Sequence, residues 1–327
     1  MNPNIWWAAA MSLLAVNASG TTPALAGADA DAEALAPALS RHLAALPPRA
    51  PVVVLVHGYS FSPRVDRHDP HRHILSLTPD PDCWKAVSWP RHLGFGRSPG
   101  QGLAIAFGWE ARGTLWRAGV EALRAGRALA RLVALIRRLR PGAPVDLVGH
   151  SLGARVALSA LPRLEPGDVG RIVLMAGAEF RRRARAAMDS PAGRTAEVLN
   201  VTSRENDPFD LCVELLLGAG SGRTLGHGLG RRQSNWLDLQ IDDPASLAAL
   251  RRLGFRVAAP AVLVCHWSPY LRPGLFPLYR AMLHDRARWP LGLLAAALPA
   301  TQAPRWSRLL GRPSLPPPLP LRRNASS

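Results

Sequence analysis

Lysine is almost missing from this chain: Lys85 is its single lysine, so the basic side chains are otherwise arginines. Cysteine is nearly as scarce. Cys83, Cys212 and Cys265 lie far apart, which excludes a zinc module and a disulfide framework and fits a reduced compartment. No apolar run reaches the length of a membrane-spanning helix; the longest near the start, Ile5 to Val16, is too short. No P-loop and no dinucleotide fingerprint is present. Gly94-Phe95-Gly96 lacks the third glycine and has no strand leading into it. These absences remove the common nucleotide-dependent chemistries.

Hydrophobic residues make up 48% of the 327 positions, enough for a sizeable core and too many for a disordered chain. The formal net charge is +17. The arginines are spread along the chain rather than gathered in one block, which argues against nucleic acid as the partner and leaves peripheral contact with anionic surfaces open. The run Arg181-Arg182-Arg183-Ala184-Arg185 reads as a solvated helix face, with an anionic surface or substrate as the alternative.

Three parts follow from composition: an N-terminal extension over 1–46, a domain over 47–290, and a C-terminal segment over 291–327 ending in a Pro-rich tail expected to be disordered. The extension holds a signal-like run and then a helix. The run lacks a basic n-region, so the expected compartment is the cytoplasm, with export through an atypical leader as the alternative. Within the domain, Val52 to Val56 is a continuous β-branched and apolar run, as in a strand buried on both faces. Similar runs follow at Leu103 to Phe107, Val145 to Val148, Arg171 to Met175, Glu197 to Val201 and Ala261 to Cys265. Leu115 to Leu139 has helical apolar spacing. Strands alternating with helices predict an α/β fold: a mostly parallel central sheet covered on both faces.

The run Val145 to Val148 leads directly into Gly149-His150-Ser151-Leu152-Gly153, and a helix follows at once. That is the layout a nucleophilic serine needs: a tight turn at a strand end, with glycines giving room and a helix N-terminus favouring developing negative charge. The segment resembles the nucleophile elbow of lipases and esterases of the α/β-hydrolase superfamily, and the resemblance extends in outline from Pro51 to Leu283. It implies the chain order serine, acid, histidine. The acid falls after Glu197 to Val201, where Asp207 is the first choice and Asp210 and Glu205 are rivals. The histidine falls after Ala261 to Cys265, at His266; His227 and His284 follow no such run. The resemblance also implies an oxyanion hole from the backbone N–H groups of Leu152 and of Tyr59 in His57-Gly58-Tyr59-Ser60, and no metal or organic cofactor. A cap or lid is expected from the segments after Tyr59 and after Met175, with Gly94-Phe95-Gly96 as its hinge.

Two further features are weighed. His68-Asp69-Pro70-His71-Arg72-His73, with Asp66, carries metal-ligating side chains but at no metal spacing, so a polar loop is expected. Trp84, Trp89, Phe95, Trp109 and Trp116 either line an apolar pocket or fill the core. The expected activity is hydrolysis of a small-molecule or lipid carboxylic ester through an acyl-enzyme on Ser151. The alternatives are an amidase, thioesterase or peptidase on the same scaffold, a non-catalytic binding protein of this fold, and a basic protein binding nucleic acid or anionic membrane.

Overall fold

The structure, a computed structural model, describes residues 12–27, 32–81, 83–98, 100–218 and 222–310. The Pro-rich tail lies outside them. The first elements correct the expected N-terminal extension. Strands β1 (Leu13–Ser19) and β2 (Thr22–Leu25) form an antiparallel hairpin, and β1 pairs in parallel with a later strand. Val16, at the end of the signal-like run, is fully buried in the sheet. Helix α1 (Ala32–Ala44) then packs Leu35, Leu39 and Leu43 into the same core. The described residues 13–27 and 32–44 therefore belong to the body of the domain. A short apolar strand and the apolar stretch of a leader have the same composition, and only a pairing partner distinguishes them.

The chain continues through β3 (Val52–Val56), β4 (Leu103–Gly108), α2 (Leu115–Leu139), β5 (Val145–His150), α3 (Leu152–Ala160), β6 (Val169–Met175), α4 (Arg181–Met188), β7 (Glu197–Thr202), α5 (Asp207–Gly218), β8 (Trp236–Gln240), α6 (Pro244–Arg252), α7 (Leu275–His284) and α8 (Leu291–Ala297). The sheet order is β2-β1-β4-β3-β5-β6-β7-β8, antiparallel only between β1 and β2.

Strand β3 shows why the sheet is covered on both faces. Its side chains alternate, and all five are buried. Val52, Val54 and Val56 join a core with residues of α1, α2 and α3, while Val53 and Leu55 join the opposite core with α6, α7 and α8. Each such burial is worth about 1.5–3 kcal/mol. Helix α2 starts at the cap Thr114, whose side chain accepts from the Arg117 N–H. Its small residues let α3 come close: a Cβ at Gly126 would lie 1.8 Å from Ser159 Oγ.

Two features depart from expectation. Residues 261–265 form no strand; Val262, Leu263 and Val264 are 49%, 58% and 43% exposed. The last strand is instead β8, whose half-polar sequence Trp-Leu-Asp-Leu-Gln lacks the buried-strand signature because it lies at the sheet edge. The segments in which a cap was expected are packed on the body of the domain. Ile74, Leu75, Trp89, Leu93 and Phe95 fill the core beside α7, and Ala184, Ala187 and Met188 of α4 fill the core beside α3. Phe95 is fully buried, so Gly94 and Gly96 form a packed turn, not a lid hinge. No helix of the described residues is long and apolar enough to cross a membrane.

Strands β3 and β5 are neighbours, yet the chain leaves them in opposite directions, to β4 on one side and to β6, β7 and β8 on the other. Loops that diverge from adjacent strand ends leave a crevice between them, and open α/β sheets bind ligands there.

Candidate active site

Ser151 stands at that crevice. It follows β5 directly and precedes α3, with φ 55° and ψ −123°, a conformation that costs a non-glycine residue of order 1–3 kcal/mol. The strain is held by neighbours on every side. The Ser151 N–H donates to Met175 O at 3.0 Å, and Ser151 O accepts from Ala178 N at 2.9 Å and from Ala154 N at 3.0 Å. The flanking glycines are required by contact. A Cβ at Gly149 would lie 2.8 Å from the backbone of Gly153, and one at Gly153 would lie 2.4 Å from Val56 O. These close approaches press the elbow against the end of β3.

The loop after β3 meets the serine from the other side. A Cβ at Gly58 would lie 2.7 Å from Ser151 Cβ and 2.9 Å from His150 O. His57 anchors this loop. Its Nε2 accepts from Trp109 N at 3.0 Å, so its Nδ1 carries the proton and donates to Gly58 O at 2.9 Å. Trp109 Nε1 returns a bond to His57 O at 3.0 Å, and the two rings stack. Burial pushes His57 down to about 3, so it stays neutral. Ser60 has φ 79° and donates its N–H to Ala111 O. Tyr59 precedes it, and among the described residues no backbone carbonyl accepts from the Tyr59 N–H. Leu152 is the first residue of α3, where an N–H has no intrahelical acceptor.

The histidine side of the site is built without a strand. His266 lies beside the elbow, its ring centroid 4.6 Å from that of His150 and 4.8 Å from that of Phe209, on which it stacks. The His150 Nε2–H donates to His266 O at 3.1 Å, which couples the residue before the serine to the histidine loop. Burial, then the nearby His150 and Lys85, hold His266 well below the usual histidine range, so it is a neutral base at pH 7.

The partner of His266 is Asn206, and this corrects the expected acid. His266 Nδ1 lies 2.6 Å from Asn206 Oδ1, while Asn206 Nδ2 donates to Asp210 Oδ2 at 3.0 Å. With its NH₂ turned to Asp210, the amide presents only its oxygen to the ring. Nδ1 therefore carries the proton and Nε2 is left as the free base. Asp207 faces away: its carboxylate pairs with Arg204 at 3.1 Å and accepts from Trp306 N at 2.6 Å. It opens helix α5, and the helical turn carries its side chain off the line to His266. Asp210 sits one bond further out. Burial pushes its carboxyl up to about 7 despite Thr224, Arg204 and Asn206.

Glu205 ties the two loops together. Its backbone oxygen accepts from Cys265 N at 3.0 Å, and its buried carboxylate takes bonds from Ser203, Ser268 and Arg272. Residue 266 thus follows a residue clamped to the loop that carries Asn206. Neither signal was visible in sequence. An asparagine gives no acid pattern, and Glu205, weighed as a rival acid, gave no sign that it clamps the two loops together.

The remaining candidates disperse. His227 and His284 are half-buried away from Ser151, His227 against Glu214 and His284 against Phe95. His71 Nε2 lies 2.7 Å from Asn17 Oδ1 on β1, and His73 packs on Phe61. Among the described residues no cluster of three or more His, Cys, Asp or Glu is arranged to hold a metal. Trp89, Phe95 and Trp109 are core, whereas Trp84 and Trp116 are each 71% exposed.

No family model matches the chain, and no curated protein matches it. Among solved structures it is similar to Aspergillus fumigatus lipase B at 13% identity and a TM-score of 0.40, covering 81% of this chain and 63% of that one. The chain thus spans less than two thirds of that lipase. It is also similar to a carboxylesterase from Bacillus subtilis at 13% identity and a TM-score of 0.24, covering 49% of this chain and 68% of that one. The mostly parallel sheet covered by helices, the crevice between β3 and β5 and the strained serine turn joining β5 to α3 are the architecture of the α/β-hydrolase fold.

Proposed function

We propose that the protein is a serine hydrolase that cleaves carboxylic esters. The observation that carries the reading is Ser151 held at positive φ between Gly58 and the start of α3, with a neutral His266 packed on the ring of His150, the residue before the serine. His266 Nε2 takes the Ser151 hydroxyl proton as the oxygen attacks the ester carbonyl. The tetrahedral oxyanion accepts from the Leu152 and Tyr59 N–H groups, each donor worth about 3 kcal/mol. The C–O bond of the ester breaks, and the proton passes from His266 to the departing alcohol. Water then attacks the acyl-enzyme with His266 again as base, releasing the carboxylate and restoring the serine.

Asn206 fixes the tautomer of His266 without adding charge. In the familiar triad a carboxylate also stabilises the imidazolium; here that stabilisation is weaker, and Asp210 supplies it from behind the amide. Phe209 and Trp267 flank His266, which favours an ester with an apolar part. The test is labelling by a fluorophosphonate, with p-nitrophenyl esters of increasing acyl length assayed in parallel. Labelling and turnover that vanish in Ser151→Ala are expected. Turnover that survives the substitution would refute the assignment. The cytoplasmic reading stands as a separate proposal, tested by fractionating the cells that make the protein.

A further inference from the structure

Helix α4 begins with three consecutive arginines, the wrong sign for its end. The N-terminus of a helix carries partial positive charge, and cations there are destabilising. The cost is compounded by neighbours. An open cleft of about 520 Å³ is lined by Arg181, Arg182, Arg185, Arg223 and Arg231, with Asp189 as its single carboxylate. Asp189 is already engaged by Arg231 at 2.6 Å. Four positive charges remain without a counter-charge in the cleft. A second cleft of about 760 Å³ shares Arg181, Arg223 and Arg231 with the first and adds Arg204, Arg232 and Arg305 against the single carboxylate of Asp238.

The guanidinium groups are held in place by their inner ends. Arg181 Nε donates to Gly228 O at 2.6 Å, and Arg185 Nε donates to Leu229 O at 3.0 Å. Their outer nitrogens converge on Gly230, where an added Cβ would lie 2.7 Å from Arg185 and 3.0 Å from Arg181. Among the described residues nothing accepts a hydrogen bond from the side chains of Arg182 or Arg223. Burial, then the charges of Arg223 and Arg185, hold Arg181 below its ordinary range, as expected of like charges pressed together.

We propose that this arginine cleft, between α4 and the loop of residues 222–232, is a binding site for an anion bearing two or more phosphate groups. A phosphate monoester carries about 1.5–2 negative charges at neutral pH, so two of them match four free guanidinium charges. Guanidinium is the cation suited to this task, because its planar fork binds phosphate oxygens two at a time. Groups fixed by Nε to backbone carbonyls lose little freedom when the ligand arrives. The cleft lining contains neither Ser151, Asn206 nor His266, so the site stands or falls independently of the ester chemistry.

The test is calorimetric titration of the full chain with inorganic pyrophosphate and, separately, sedimentation with phosphatidylcholine vesicles with or without a bisphosphorylated inositol lipid. Saturable one-to-one binding of pyrophosphate is expected. Arg182→Gln with Arg223→Gln should weaken it at least tenfold while leaving ester turnover and the melting temperature unchanged. Arg251→Gln with Arg252→Gln, on exposed positions of α6, removes the same charge elsewhere and should leave binding intact. Binding to the bisphosphorylated vesicles that the cleft variant abolishes assigns the ligand to a lipid headgroup. Binding of pyrophosphate alone assigns it to a soluble phosphate compound. Absence of saturable binding, or equal weakening by both double variants, would overturn the proposal. If the double variant melts early, the single Arg182→Gln and Arg223→Gln variants replace it, each expected to lose part of the affinity.

Discussion

Replacing Asn206 by aspartate tests the central geometric claim about the site. The substitution keeps an oxygen where Oδ1 now sits, 2.6 Å from His266 Nδ1, and turns a neutral amide into a carboxylate. An opposite charge at that distance raises the pKa of an imidazole by about 1–3 units. The neighbouring Asp210, already pushed up to about 7, takes a proton more readily still and can donate it to the new carboxylate. The repulsion that would blunt the effect is thereby relieved. The acid limb of kcat/KM reports the base of the free enzyme. In the wild type it should lie below 6.5, because burial and His150 hold His266 down. In Asn206→Asp it should move up by about 1–3 pH units, each equivalent to about 1.4 kcal/mol of imidazolium stabilisation. Turnover of p-nitrophenyl acetate from pH 4.5 to pH 9 (~0.5-unit steps suffice for a shift of that size) reads the limb directly. Superimposable acid limbs would refute the placement of Asn206 behind His266, since a charge in contact with the ring cannot leave its titration unchanged.

Three other outcomes follow from the same geometry. Gly58→Ala places a methyl group 2.7 Å from Ser151 Cβ, so kcat should fall by about 100-fold, as on losing an oxyanion donor, with KM less affected, measured by steady-state kinetics. Asp210→Asn should flatten the pH dependence of stability. The carboxyl is raised from 3.8 to about 7 on folding, so the folded state binds a proton that the unfolded state releases, and stability falls as pH rises between those values. Unfolding free energies from urea titrations at pH 5 and pH 8 should draw closer in the variant by up to about 2.7 kcal/mol, and an unchanged difference would contradict the assignment. Removing residues 1–27 strips β1 and β2 and bares the edge of β4, so the truncated chain should lose cooperative unfolding by circular dichroism and associate on a sizing column.

The parts of this molecule that were readable from its residues share a property: their signal is local. The all-apolar Val52–Val56 and the Gly149 to Gly153 turn each declare themselves within a few positions, because burial on both faces and a forced backbone angle leave few residue choices. The parts that misled depend on distant partners. β1 is a strand only because β4 offers it an edge, and β8 is half polar because, among the described residues, no strand pairs on its outer side. Val262 to Val264 has the composition of a buried strand but is an exposed loop that pairs with no strand. The identity of the residue behind His266 turned on one helical step. Asn206 ends a short turn and faces the ring, and Asp207, the next residue, starts α5 and faces Arg204. Sequence order brought the search to the right loop, and only the backbone path could choose between adjacent side chains.

The parallel pairing of β1 with β4 also bears on how the chain comes to be folded. Leu13 finds its partner in Ala104, and between them lie β3 and the long connection that follows it. A chain made from its N-terminus has no β4 to offer β1 until that whole stretch has emerged. At about 5–20 residues per second, that wait lasts seconds. During it the β1–β2 hairpin exists alone, and an isolated two-stranded hairpin is marginal in water. The sheet therefore cannot be completed in the order in which it is synthesised. Its first strand must be added late, as an edge, to a centre formed by strands that follow it in the chain.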